Sequence, residues 1–238
     1  MTINYKAKYL VSNSQTVLKN KVVRIQEGKI SGVIDEKDLE RGSQIEDLGN
    51  VAIVPGFVNA HSHVGLVSVK GLGHSQASAL YDVMWGIEPH LTEDDVYKLS
   101  CLGILDCLSS GTTSINDHYF FSEGVAKACL DTGIRGFIGH TVMTEYGPWV
   151  GEEQLIMAES FVKNFIKSND LIHPVIAPHA TDTTNPKTIL MMKYFRCTFE
   201  KYHNFQWRSS IIFPITNPKK LEFLPLGPLM VFTLATKK

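Results

Sequence analysis

The chain has 238 residues, of which 44% are hydrophobic and 20% are charged, and its formal net charge is −1. This composition is typical of a globular protein with an apolar core, and it offers no strongly basic surface that would attract nucleic acid or anionic membranes. No apolar run approaches the ~18 residues of a membrane span and the N-terminus lacks a secretory apolar segment, so we expect a cytoplasmic protein that binds neither nucleic acid nor membrane.

Residues 1–50 predict short strands separated by turns. Strands are indicated at 5–11, 17–18, 22–25 and 30–34, and Glu27-Gly28 supplies a turn before the last of them. Turn residues between short β-branched runs are typical of a β-meander. We expect no ligand-binding residue in this segment.

Residues 51–65, VAIVPGFVNAHSHVG, combine an apolar run, a Pro-Gly break and two histidines two residues apart. Residues i and i+2 of a strand point to the same face, so His61 and His63 could present two imidazoles to one metal ion. Imidazole suits zinc and iron. The alternative is a pair of polar residues on a solvent-exposed face, but the apolar run 51–54 favours a strand buried in a parallel sheet.

Strands and helices then alternate, which predicts an α/β protein with a parallel sheet. Thr92 and Asp95 have the spacing of a capping box, and Gly133 stands where a left-handed residue ends a helix. Asn185-Pro186 is the start signal of a further helix. The remaining elements in chain order are strand 112–116, helix 122–133, strand 134–141, helix 152–167 and strand 174–177. These elements form about four βα units, half the number in a closed eight-stranded barrel.

The residues that close the four strands are His61 and His63, then Asp117 and His118, then His140, then His179. Active sites of such folds lie at the carboxyl ends of the strands, so these side chains are expected to converge. A single buried histidine is more often part of the core than a ligand. Four consecutive strands that each end in histidine or aspartate favour a functional site.

Residues 184–238 differ in composition from the rest. Residues 1–183 contain 14 basic and 22 acidic residues, whereas residues 184–238 contain 9 and 2. Only one of the 18 glycines lies in the later segment, which is therefore poorly supplied with turn residues, yet its apolar runs do not suit a disordered linker. Our hypothesis is a frameshift between about 184 and 203 that makes the divergent basic tail, 187–238, an out-of-frame translation. A separate structural module is the alternative.

Five segments resemble, in this order, segments of the amidohydrolase superfamily: PGFVNAHSHV, GIEPHLTEDDVY, SGTTSINDHYFF, GIRGFIGHTVM and HPVIAPHATDT. The branch is that of cytosine-deaminase-like and triazine-chlorohydrolase-like enzymes, which includes the methylthioadenosine/S-adenosylhomocysteine deaminases. The resemblance covers about residues 5–186. It implies the N-terminal half of a small β-sandwich in 1–50 and the first half of a (β/α)8 barrel in 51–186. It also implies a divalent metal, zinc or else iron, that hydrolyses C–N bonds of small nucleobase-like or triazine-like heterocycles.

The resemblance also implies roles for individual residues. His61 and His63 match metal ligands, whereas Glu88, His140 and His179 match positions that bind substrate. The alternative for Glu88 is a solvated carboxylate near a helix end. His140 stands where the nucleoside deaminases carry arginine, which favours a triazine-like or other small heterocycle over a nucleoside.

The family's remaining ligands and its catalytic glutamate are implied to lie on later strands. No aspartate follows Asp182, and His203 is the only later histidine, so the catalytic residues remain unassigned. Two histidines hold a metal weakly, and we expect the chain alone to be inactive. A rival hypothesis is a non-catalytic half-barrel scaffold whose open sheet edge is completed by a second copy or a partner chain.

Overall fold

The computed structural model describes residues 1–72, 79–166, 169–199 and 229–233, which form a mixed α/β structure. These residues divide into two compact units. The first contains Met1–Phe57 and a strand from the tail, and the second begins at Val58 and contains the other described elements. No helix in these described ranges has both the length and the apolar character needed to cross a membrane.

The first unit is a six-stranded sheet with the strand order β10-β5-β1-β2-β3, and β4 pairs with β1. β1, β2 and β3 are antiparallel neighbours, and β5 runs parallel to β1. The core contains Ala7, Leu10, Val23, Val51 and Ile53. The strands are β1 (Thr2–Asn13), β2 (Thr16–Gln26), β3 (Lys29–Asp35), β4 (Glu46–Asp47), β5 (Val51–Pro55) and β10 (Leu229–Thr233).

The apolar run before the histidine pair differs from the prediction. It forms β5 in the first sheet, and a separate strand, β6 (Phe57–Ser62), carries His61. The break follows Pro55, which has no N–H to continue a ladder. The apolar character of 51–54 therefore reflects the core of the first unit and not burial of the histidine strand.

The second unit has a four-stranded sheet with the order β6-β7-β8-β9, in which β7, β8 and β9 pair in parallel. Helices follow the strands, as the alternating pattern predicted. The further elements are α1 (Ala79–Ile87), α2 (Glu93–Ser109), β7 (Thr112–Tyr119), α3 (Ser122–Thr132), β8 (Arg135–Val142), α4 (Glu153–Phe165), β9 (Ile172–Pro178) and α5 (Pro186–Phe199).

Three predicted helix signals are confirmed. The Thr92 hydroxyl accepts a hydrogen bond from the Asp95 N–H, and the Asp95 carboxylate accepts one from the Thr92 N–H, which completes the capping box. Gly133 ends α3 with a φ of 77°. Pro186 begins α5, which extends beyond the predicted first turn to Phe199 and so reaches into the tail segment.

Helix α2 sits directly against the segment that follows the histidine pair. A Cβ built on Gly103 of α2 would overlap the carbonyl oxygen of Val64. The two backbones can approach this closely because glycine has no side chain. The core beneath them contains Val96, Ile104 and Ile115, all fully buried. Residue 103 thus helps to set the position of the chain just after His63.

Candidate metal centre

His61 and His63 lie at the carboxyl end of β6, as predicted. Their rings meet edge to face, with centroids 4.9 Å apart and an interplanar angle of 87°. The next residue, Val64, begins a short 3-10 segment that ends at Val69. Strand alternation therefore brings both imidazoles to the same side of the sheet.

His118 on β7 joins this pair. One ring nitrogen from each of His61, His63 and His118 lies within 4.8 Å of the other two. The His118 ring centroid is 4.6 Å from that of His63 and 5.7 Å from that of His61. The sequence placed His118 at a strand end without a role, and the structure makes it part of a three-histidine cluster.

Two hydrogen bonds orient the rings of His63, which is half-buried, and His118, which is buried. His63 Nδ1 lies 2.8 Å from the carbonyl oxygen of His118, and His118 Nδ1 lies 2.9 Å from Thr141 Oγ1. A carbonyl only accepts, so His63 must donate from Nδ1, which leaves the Nε2 lone pair available. The Thr141 hydroxyl can donate or accept, so this contact occupies Nδ1 of His118 but does not by itself assign the tautomer.

All three histidines favour the neutral form. Burial lowers the pKa of His63 and, to a greater extent, of His118, whose pKa the neighbouring histidines lower further. Burial and the nearby His63 also lower the pKa of His61. Neutral imidazole is the form that binds metal ions, so the cluster is ready to act as a nitrogen donor set near pH 7.

Asp117 supports the histidine pair from the other face of the sheet. Its Oδ2 accepts hydrogen bonds from Ser62 Oγ at 3.0 Å and from the Val64 N–H at 2.7 Å. Asp117 therefore binds the residue before His63 and the residue after it. Burial raises the pKa of Asp117 to about 7, although both hydrogen bonds oppose this change. Adjacent strand residues point to opposite faces of a sheet. Asp117 therefore holds the backbone around His63 from one face, while His118 joins the histidine cluster on the other.

His179, predicted to contact substrate, lies beside the cluster. Its ring centroid is 5.9 Å from that of His118. The chain after β9 is held by a hydrogen bond from the His179 N–H to the Val142 carbonyl, and the side chain is held by a 2.8 Å contact between Nδ1 and Thr183 Oγ1. His179 is therefore positioned next to the space that a metal ligand would occupy.

Glu88 is buried, which excludes the alternative of a solvated carboxylate. Its side chain is 2% exposed, and Oε1 accepts a hydrogen bond from the Tyr119 hydroxyl at 2.9 Å. Oε2 has no hydrogen-bond partner within the described part of the chain. Burial raises the pKa of Glu88. Among the described residues, Glu88 Oε2 is therefore an acceptor without a partner close to β7, the strand that carries His118. It is available to accept a hydrogen bond from a hydroxyl or amino group of a ligand.

The structure does not bring His140 to the cluster. His140 precedes Thr141 on β8, so its side chain points to the opposite face of the sheet from Thr141 and His118. Its Nδ1 lies 3.3 Å from Ser122 Oγ and its Nε2 lies 3.0 Å from Gln154 Oε1. Both ring nitrogens are thus occupied by protein groups, and the substrate role of His140 stays a prediction that the geometry does not support directly.

Sequence reasoning missed Thr141 and Thr183, which contact the histidine rings, and it identified Asp117 but not its role. Strand alternation offered a signal for Thr141, because a residue next to His140 must face the other way. The partner of His179 follows it by four residues across a turn, and no simple spacing rule identifies that contact. The carboxylate of Asp117 was noted at the strand end, but its bonds to Ser62 and Val64 depend on how two strands meet.

The donor set suits a divalent transition metal. Three neutral imidazoles match zinc or iron, whereas magnesium and calcium prefer oxygen ligands. One ring nitrogen of each of His61, His63 and His118 lies within 4.8 Å of the other two, so the cluster offers three nitrogen donors to one ion.

Residues 52–195 match the model of the Amidohydrolase family. The chain belongs to this family, as its five sequence segments predicted. Together with the parallel sheet and the histidines at the ends of its strands, this match defines the class of protein.

The chain is similar in sequence or in fold to several deaminases and to a chlorohydrolase. The 5-methylthioadenosine/S-adenosylhomocysteine deaminase of Aquifex aeolicus is 34% identical over 177 residues, which are 72% of this chain and 40% of the relative. A zinc-containing adenosine deaminase from Xanthomonas campestris matches the fold with a TM-score of 0.74 at 22% identity, over 82% of this chain and 47% of that one. A zinc complex of atrazine chlorohydrolase from Arthrobacter aurescens matches the fold with a TM-score of 0.71 at 16% sequence identity. The match covers 83% of this chain and 51% of that one. The chain spans about half or less of the length of these proteins.

Proposed function

We propose that the chain carries the metal-binding and part of the substrate-binding half of a hydrolase that acts on C–N bonds, or the equivalent C–Cl bond, of small cyclic amidines. The observation that carries this proposal is the convergence of histidine nitrogens at the carboxyl ends of parallel strands in a member of the Amidohydrolase family. Because the chain spans only part of its relatives, we propose that it is inactive alone.

In this proposal the four-stranded sheet is the first half of a (β/α)8 barrel, and the first unit is half of a small β-sandwich. The domain limits remain those read from the sequence, with strands of the sandwich at 1–50, half-barrel at 51–186 and divergent tail at 187–238. The partial coverage of structural neighbours supports the half-barrel. The placement of β5 in the first sheet favours a limit near residue 57 instead of 50. A cytoplasmic location also stays a prediction.

His61 and His63 would hold the metal, with zinc the first choice because structures of similar fold contain it. When bound, the ion supplies a Lewis acid that lowers the pKa of a water molecule from 15.7 to ~7. Asp117 keeps the residues around His63 in place. His179 would accept or donate a hydrogen bond at the ring of the substrate, and Glu88 Oε2 would accept one from a substituent.

The substrate class divides between nucleosides and triazines. The relative from Aquifex aeolicus, a nucleoside deaminase, supports an adenosine-like substrate, and the free acceptor oxygen of Glu88 suits ribose hydroxyls. The fold match to a chlorohydrolase is equally compatible with a triazine. His140, whose nitrogens are both engaged, would act on either substrate only through Ser122 and Gln154.

A chimaera tests the proposal. Residues 1–185 of this chain would be joined to the part of the Aquifex aeolicus deaminase that follows the matched region. Ammonia release from methylthioadenosine and S-adenosylhomocysteine, and chloride release from a chlorotriazine, would then be measured. We expect turnover of one class by the chimaera and none by the chain alone.

Three variants and one control sharpen this experiment. His61→Ala and His63→Ala should abolish turnover by loss of the metal, whereas His179→Ala should mainly raise KM and keep the metal. His90→Ala, an exposed histidine outside the cluster, should behave as wild type. Undiminished turnover in His63→Ala, or a zinc-loaded chimaera inert towards both substrate classes, would contradict the proposal.

A non-catalytic scaffold is the second candidate function. Within the described residues β9 has a single sheet neighbour, β8, and an unpaired parallel edge invites a second chain. Size-exclusion mass separates the two candidates. A discrete dimer that stays inactive in the chimaera context supports the scaffold, and a monomer excludes self-completion.

A further inference from the structure

We propose that His118 is a third nitrogen ligand, so that this chain binds one divalent transition-metal ion with its own residues alone. The inference rests on the proposed function for the metal itself and adds a ligand to the pair His61 and His63. It replaces the weak two-histidine site expected from the sequence with a three-coordinate one that leaves one position open.

The distances allow it. A tetrahedral zinc ion with Zn–N bonds of about 2.0–2.1 Å places its ligand nitrogens ~3.3 Å apart. The three ring nitrogens of the cluster lie within 4.8 Å of one another. His61 is the exposed member of the cluster, so we expect rotation of its side chain to shorten the distances from its ring to the other two.

The hydrogen bonds of His118 are those of a ligand. Metal-bound histidines almost always donate the second ring N–H to a carboxylate, a backbone carbonyl or water, which fixes the tautomer and the ring orientation, and a threonine hydroxyl can take the same place. His63 follows this pattern through the His118 carbonyl, and His118 follows it through Thr141 Oγ1 in the tautomer that carries its proton on Nδ1. Each is left with Nε2 for the ion.

The structural alternative is an ordinary core histidine, and the chain provides one for comparison. His140 is as buried as His118, at 4% exposure, and both of its ring nitrogens meet protein groups, Ser122 and Gln154. Within the described residues the His118 side chain is hydrogen-bonded through Nδ1, and its ring lies beside those of His61, His63 and His179. Its second nitrogen is accounted for by a metal and not by the fold.

Zinc affinity of the full chain tests the inference without any activity assay. Competition with a chromophoric chelator gives the affinity, and the visible absorption of the Co²⁺ form reports the number of ligands. His61→Ala, His63→Ala and His118→Ala should each weaken zinc binding by more than about 100-fold, the upper figure for loss of an outer partner. His90→Ala and His179→Ala should bind as wild type.

Two further comparisons protect the test against misfolding. His118→Gln keeps size and polarity but supplies no imidazole, so it should lose zinc while its metal-free thermal stability stays near wild type. Thr141→Val removes the acceptor of His118 and should weaken zinc by about 10–100-fold, whereas Thr141→Ser keeps the hydroxyl and the affinity.

The outcomes distinguish failure of His118 as a ligand from failure of the proposed metal site. Wild-type affinity and an unchanged Co²⁺ spectrum in both His118 variants, with zinc lost in His61→Ala and His63→Ala, would overturn His118 as a ligand and leave the proposed function intact. Zinc lost in His179→Ala but not in the His118 variants would also overturn it. If wild type binds no zinc, both the inference and the proposed metal site are wrong.

Discussion

A buried carboxylate without a cation partner carries a free-energy cost that depends on pH, and Glu88 is such a residue within the part of the chain that the structure describes. Within the described residues, the Glu88 side chain has one hydrogen bond, from the Tyr119 hydroxyl, and burial raises its pKa above the ordinary 4.5. Folding therefore favours the protonated form. The contribution of Glu88 to stability is most favourable below pH 4.5, where both states are protonated, and falls as the pH rises above that value.

Glu88→Gln should stabilise the protein at neutral pH, because the amide keeps an acceptor for Tyr119 without a charge. Its advantage over wild type should shrink towards zero as the pH falls to about 4, near the ordinary carboxyl pKa. Urea unfolding at several pH values measures the difference. Glu145→Gln, at an exposed position, should show no such trend. An advantage for Glu88→Gln that is equal at pH 4 and pH 7 would rule out charge burial as its cause.

At the same scale, the histidine pair could be predicted from the sequence, but the residues that orient it could not. The two-residue period of a strand was enough to place His61 and His63 on one face. The position of His179 after β9 was enough to bring it near them. His140 is also at a strand end, yet its side chain contacts Ser122 and Gln154 on the face of the sheet that the helices cover. Which of the adjacent residues His140 and Thr141 faces the histidine cluster depends on the register of β8, which the local sequence does not reveal.

At the scale of elements, helix ends were predictable because they depend on a few local groups. The capping box at Thr92 and the left-handed Gly133 were both found where expected. The division of residues 51–62 into two strands of different sheets was not, because it depends on pairing with β1 and β10, which are distant in sequence. Long-range pairing is the information that a local pattern lacks.

The approach of α2 to the histidine segment yields a second prediction. Gly103→Ala places a methyl group into the carbonyl of Val64, and the helix or the segment must move. We expect a loss of about 1–3 kcal/mol, the usual cost of overpacking. Because Val64 follows His63, zinc affinity should fall as well.

Gly86→Ala in α1 is the matched control. A Cβ at residue 86 meets no atom within 4 Å, so the substitution should leave stability unchanged or raise it by up to about 1 kcal/mol through helix propensity. Chemical unfolding of both variants gives the comparison. Equal stability of the two variants would show that the close contact between α2 and Val64 does not constrain the fold.

At the scale of the whole molecule, the tail contributes a strand to the first unit and the end of a helix to the second. In the first, β10 from the tail pairs antiparallel with β5 over Leu229–Thr233. In the second, α5 begins in the family-like region and runs to Phe199, while the match to the family ends at residue 195. The family resemblance and the change in composition therefore meet within one helix.

This coincidence gives the frameshift hypothesis a sharp test at the level of the gene. Four more βα units at about 30 residues each, with the strands that close a sandwich, require roughly 200 further codons. If the frame was lost between about 184 and 203, one of the other two frames beyond that point should encode them. We expect a strand ending in Ile-His, a second strand ending in histidine, and a third ending in aspartate, in that order.

Resequencing of the locus and translation of all three frames provide the measurement. An alternative frame with these motifs would explain why the tail has one glycine and a strongly basic balance, since out-of-frame codons are not selected for turns or for charge. If neither frame contains them, the tail is a genuine part of the protein. In that case β10 is a selected strand, and replacing Val231, which pairs with Ile53, by proline should destabilise the first unit by removing a ladder hydrogen bond.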